Sequence, residues 1–252
     1  MSGSEMGTKG MSGMSMWNIH NNIPTRRPDI FDDISKQKTM ASFRMPMTYP
    51  AREVNGWMAS GFPQPEDPEE TATYGIDLPQ KYNDMLPFRG PYDGDGIDIE
   101  ERKEETWYMV DLFLDLIEDE DVVFFGSQFP DHMGHVYNKR KVESEYNMVQ
   151  QFRDSDLCDL GVEFGMAIAQ TLIQKSNHED FAIISDHGYQ TSGHSDYSTL
   201  ITNLDGSQVD SIRDLRDFFT DALGISKATR EYGETLEVDD DVEEQLESWG
   251  YK

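Results

Sequence analysis

Cysteine is almost absent. Cys158 is the one thiol in 252 residues, which excludes an intrachain disulfide and a thiolate zinc site and leaves it the reading of a small core side chain. Basic residues are scarce as well: Lys and Arg total 21 against 49 Asp and Glu, a formal charge of −28. No basic stripe exists through which a nucleic-acid backbone could be held electrostatically. Long apolar runs are missing, none approaching the ~20 residues of a membrane span. Residues 1–16 are rich in Gly, Ser and Met and lack the basic start and apolar core of a secretory signal. These absences predict a soluble, cytoplasmic chain that binds neither nucleic acid nor membrane. An acidic excess of this size repels itself in dilute solution, so a salt-rich cytoplasm is its simplest physical setting. A small anionic ligand remains open, provided metal cations offset the carboxylates.

With 37% apolar residues, the chain can bury the core of one large domain over residues 1–252. Residues 27–34 read as a short helix and residues 38–45 as a strand that stops at Pro46. Residues 59–105 hold most of the prolines and several Gly-Asp turns, the composition of a loop-rich cap over an active-site mouth. Within that cap, Asp93-Gly94-Asp95-Gly96 suggests a calcium loop. The register fails, because aligning Gly96 with the invariant loop glycine leaves Pro91 at the first ligand position, and an acidic turn is the better reading.

From residue 104 onward a rhythm appears. Val110, Phe113, Leu114 and Ile117 form a helical stripe leading into an apolar strand over residues 121–128, and a second helical tract over residues 143–174 leads into a strand over residues 181–185. Alternation of this kind predicts an α/β fold, a mostly parallel sheet flanked by helices. Residues 211–223 then read as a helix ended by Gly224, followed by an acidic linker and a short helix over residues 242–251.

Each of the two strands runs into an Asp and a His: Phe129-Pro130-Asp131-His132-Met133-Gly134-His135 after the first, Ser185-Asp186-His187-Gly188 and then Gly193-His194 after the second. Ligands in open α/β sheets gather beyond the carboxyl ends of the strands. The two strands are therefore predicted to be neighbours, with Asp131, His135, Asp186, His187 and His194 converging on one pocket. Carboxylate and imidazole donors without thiolates suit zinc, manganese or iron. Two such clusters suggest a two-metal centre, whose use is to clamp the attacking and leaving oxygens of a displacement at phosphorus. The plainer alternatives are that Asp131 and His135 cap the following helix, and that Asp186 is an N-cap beside a surface His187. His132, His20 and His178 read as solvent-facing.

The paired motifs resemble those of the alkaline phosphatase superfamily, in particular its type I phosphodiesterase/nucleotide pyrophosphatase branch, where a P-D-x-x-G-H segment and a later His build one metal site and S-D-H-G serves the other. The resemblance runs from about residue 28 to the end. It includes Pro46-Met47-Thr48-Tyr49-Pro50, Val54-Asn55-Gly56 and Ser60-Gly61-Phe62, similar to a stretch of archaeal members, and the closing Leu246-Glu247-Ser248-Trp249-Gly250-Tyr251. It implies an alkaline-phosphatase-like fold, two divalent ions (zinc, with manganese as the alternative), a small phosphate-ester substrate, and hydrolysis of phosphodiester or nucleotide pyrophosphate bonds. Asp131, His135 and His194 would hold one ion, and Asp186 with His187 would contribute to the second. A sulfatase or phosphomutase would share these ligands, and a non-catalytic metal-binding relative would keep the fold; the Cys/Ser-x-Pro-x-Arg motif of sulfatases does not occur. The family's first-strand Asp and its Thr or Ser nucleophile precede the segment that aligns with Met1, so the expectation is an N-terminally incomplete member with no catalytic residue assigned. Thr8, in Gly7-Thr8-Lys9-Gly10, is the tempting substitute but lacks a preceding strand.

Overall fold

A computed structural model of the chain describes residues 28–61, 72–85, 98–143, 148–190, 193–195, 197–206 and 208–228, the side chains of residues 137–158, 189–190 and 193–195 excepted. The fold is α/β, with a mixed, mostly parallel sheet and accompanying helices. The chain divides into two compact units, one comprising Met1–Gly90, Glu120–Phe124 and Phe219–Lys252, the other Pro91–Asp119 and Phe125–Phe218.

The first unit is built on strands β1 (Met40–Met45), β2 (Gly56–Ser60), β3 (Thr73–Tyr74) and β4 (Val122–Phe125), in the order β3-β2-β1-β4. β1 and β2 run parallel and β2 and β3 antiparallel. Met40 to Arg44 are all buried, as a strand covered on both faces requires. Side chains alternate. On one face Met40 and Met58 pack with Phe31 and Ile34 of helix α1 (Ile30–Ser35), and with Leu223 and Ile225. On the other, Phe43 meets Trp57 edge-on and packs against Tyr82 of helix α2 (Gln80–Asn83). Helix α1 begins at Ile30, three residues after the predicted start, because the cap is Asp29: it accepts from Phe31 and Asp32 N–H while the Asp32 carboxylate accepts from Asp29 N–H, a reciprocal cap. Arg52 grips the cap, Nη2 lying 2.6 Å from Asp29 Oδ1. The register of β4 on β1 is pinned by Asp121, whose Oδ2 accepts from Thr39 N and Oγ1 at 2.8 and 3.0 Å. The predicted cap thus contributes β3 and α2 to this unit; its residues 62–71 and 86–97 lie outside the described residues, as do the acidic turn at Asp93-Gly94-Asp95-Gly96 and the terminal helix.

The second unit carries three long helices: α3 (Ile99–Leu116), α4 (Phe129–Glu143) and α5 (Met148–Lys175). Helix α3 begins earlier than its apolar stripe, because the Asp98 carboxylate accepts from Glu100 and Glu101 N–H and supplies a cap six residues upstream of the predicted start at residue 104. Phe129, Met133 and Val136 of α4 form a buried cluster with Ile99, Leu160 and Phe164. The unit also holds β5 (Ala182–Ser185), β6 (Gly188–Gln190), β7 (Gly193–Ser195) and β8 (Thr199–Thr202), paired as two antiparallel ribbons, β5 with β8 and β6 with β7. This corrects the prediction that the strands before the two Asp/His motifs are neighbours. β4 ends the four-stranded sheet, and β5 finds its partner in β8, which follows it closely in sequence and so closes at small entropic cost. The tail turns through a 3₁₀ segment (Ile212–Asp214) into helix α6 (Leu215–Leu223), which ends at Gly224 with φ 62°. Among the described residues no helix is long and apolar enough to cross a membrane.

Candidate metal centre

Asp131 and His135 do not sit on a loop at a strand end. The strand stops at Phe125, and Phe129-Pro130 opens helix α4, since proline is tolerated in a first turn where its missing N–H is no loss. Asp131 therefore lies in the first helical turn, where the aligned peptide dipoles favour a carboxylate. His135, four residues on, shares its face. Their side chains are 18% and 8% exposed, and His135 Nε2 is 3.5 Å from Asp131 Oδ2. His132 is buried at 3% rather than solvent-facing, a consequence of the helix: one residue from Asp131 on a helix means a turn of about 100° toward the packed interior.

The first turn of α4 lies unusually close to α5. A Cβ on Gly161 would stand 3.1 Å from Met133 Cβ, 3.2 Å from Pro130 Cα and 3.3 Å from Pro130 O, and one on Gly165 would stand 3.0 Å from Pro130 Cγ. Two glycines one turn apart open the groove that receives the Pro130-Asp131 backbone. Sequence reasoning missed them, although the spacing Gly161-x-x-x-Gly165 inside a helical tract was its visible trace.

Asp186 and His187 occupy the turn between β5 and β6. Asp186 Oδ1 accepts from His187 N–H at 3.1 Å. His187 Nδ1 is 3.3 Å from Gly188 O, an acceptor to which this nitrogen can donate. The other ring nitrogen, Nε2, faces carboxylates: Asp131 Oδ1 at 3.6 Å and Asp186 Oδ1 at 3.7 Å. The four predicted ligands Asp131, His135, Asp186 and His187 thus meet, in the order His135–Asp131–His187–Asp186, from motifs on two separate elements. The fifth, His194, is placed by its backbone. It pairs with Tyr189 across the β6–β7 ribbon, one step from the Gly188–Ser195 pair that follows His187; its side chain is outside the described residues, as is all of Thr8.

The separations are longer than direct hydrogen bonds. Separations of 3.5 to 3.7 Å exceed the ordinary 2.7–3.2 Å of N–H···O bonds. Two donors each ~2.1 Å from a tetrahedral ion stand about 3.4 Å apart. A histidine that gives its second N–H to a backbone carbonyl is also the common arrangement for a ligand. The contacts form a chain rather than a cage: among the described residues no group of three or more His, Cys, Asp or Glu side chains is disposed to hold a metal ion. The fit to a metal is therefore pairwise. Compared with family models, with curated proteins and with solved structures, the chain matches none.

Proposed function

We propose that this protein is a metal-dependent hydrolase of phosphate esters of the type I phosphodiesterase/nucleotide pyrophosphatase kind, working in the cytoplasm, with an alkaline-phosphatase-like fold and residues 59–105 as its cap. The observation that carries the reading is the meeting of Asp131 and His135 with Asp186 and His187, the residues of the P-D-x-x-G-H and S-D-H-G segments, in one place. Motifs that are merely helix caps have no reason to bring two imidazoles against one carboxylate.

Asp131, His135 and His194 would hold one divalent ion, zinc or manganese, and Asp186 and His187 would contribute to a second. Such ions, when bound, supply positive charge for the phosphoryl oxygens and lower the pKa of bound water. The chain's own residues do the remainder. Asp131 presents one oxygen to each histidine, so a single carboxylate ties the helix to the turn. The Gly188 carbonyl receives the Nδ1 side of the His187 ring, which leaves Nε2 turned toward Asp131. His135, nearly buried on the helix wall, faces the other oxygen of that carboxylate.

The test is to purify the chain, measure zinc and manganese bound per molecule, and assay bis-p-nitrophenyl phosphate before and after chelation. Metal uptake with weak or no hydrolysis is the expected result, since no nucleophile is assigned. A chain that takes up no divalent metal overturns the reading. Activity that vanishes in Thr8→Ala would assign the nucleophile to Thr8; activity that survives it places the attacking oxygen elsewhere.

A further inference from the structure

We propose that Ser198 is a positioning residue for this centre, holding the Asp186-His187 turn in the conformation that meets Asp131; the inference rests on the function proposed above. The β5–β8 ribbon is tied by side chains at both ends. At its start, Thr202 Oγ1 donates to Phe181 O at 2.6 Å and Asn203 Oδ1 accepts from Phe181 N at 2.8 Å. At its finish, where Ser185 pairs with Thr199, the ties cross: Ser185 Oγ accepts from Thr199 N at 2.9 Å, and Ser198 Oγ donates to Asp186 O at 2.7 Å.

The second of these is the one that reaches the site. Asp186 O belongs to the peptide that leads into His187, and that same peptide's N–H bonds the Asp186 carboxylate. Ser198 fixes the oxygen side of this peptide and the carboxylate fixes the nitrogen side. With the peptide plane set, the His187 backbone is held where its ring reaches Gly188 O through Nδ1 and turns Nε2 toward Asp131. Ser198 is solvent-exposed, so its hydroxyl contributes little to global stability, while loss of the tie lets the turn sample other peptide orientations. Outer partners that orient ligands in this way are worth about 10- to 100-fold in metal affinity.

The experiment compares the full chain with Ser198→Ala and Ser198→Thr. Zinc affinity is measured by competition with a chelator, the His187 ring by its imidazole NMR signals during the titration, and folding by thermal unfolding of the metal-free protein. Ser198→Ala is expected to weaken zinc about tenfold and to broaden or shift the His187 signal, with a midpoint within about 3 °C of wild type; Ser198→Thr, which keeps the hydroxyl, restores both. Wild-type affinity in Ser198→Ala overturns the inference and leaves the proposed function standing. So does a Ser198→Thr as weak as Ser198→Ala, or a Ser198→Ala midpoint lowered well beyond that margin, since the residue would then act on the fold. A wild-type chain that binds no zinc or manganese overturns the function and the inference together.

Discussion

Asp131 Oδ1 lies 3.6 Å from His187 Nε2 while its Oδ2 lies 3.5 Å from His135 Nε2. One carboxylate therefore links the first turn of α4 to the turn after β5, and its two oxygens are not interchangeable with an amide. Asp131→Asn keeps the shape but replaces one acceptor oxygen with a donor NH₂ and removes the charge. Zinc uptake is expected to fall by about 100-fold or more, with circular dichroism unchanged. Uptake equal to wild type would remove Asp131 from the centre.

Gly161 permits a close approach of α5 to α4, with Pro130 and Met133 at 3.1 to 3.3 Å from the place its Cβ would occupy. Gly161→Val adds branched bulk against backbone that cannot rotate away. The variant is expected to lose about 1–3 kcal/mol of stability in urea unfolding. Because Pro130 precedes Asp131, metal affinity should fall with it. Loss of stability with untouched affinity would show that the groove shapes the fold but not the site.

Tyr82 is 1% exposed beneath Phe43. Burial pushes its hydroxyl above the usual 10.0, with the charge of Arg44 pulling partly the other way. A proton held more tightly in the folded state gives stability that is complete below the unfolded value, about pH 10, and lost as pH climbs through the raised folded value. Urea midpoints measured from pH 9 to pH 11 should drop more steeply for wild type than for Tyr82→Phe. Parallel profiles would refute the assignment.

Charge sets the fourth expectation. At −28 the folded chain concentrates like charges, and added salt shortens the Debye length from about 10 Å at 0.1 M to about 3 Å at 1 M. The unfolding midpoint should rise between dilute buffer and molar KCl. A flat or falling midpoint would mean that ion pairs such as Arg52–Asp29 and Lys103–Glu100 matter more than the overall repulsion.

The sequence by itself determined what local physics determines. A short helix near residues 27–34, the strand Met40–Met45, the long helix ending at Lys175 and the glycine stop at Gly224 all follow from apolar period and turn chemistry within a few residues. So did the identity of the Asp and His residues that meet, because Asp131, His135, Asp186 and His187 announce themselves by type and spacing. Pairing was decided only in three dimensions. An apolar run such as residues 181–185 has no mark that chooses a parallel neighbour over β8, and the choice fell to the short return through Ser198 and Thr199. Nor does a one-dimensional reading show that Pro130 begins a helix instead of ending a strand, or that two glycines on α5 make room for it. Those outcomes depend on which surfaces exclude each other's side chains, a property of packed elements and not of any one segment.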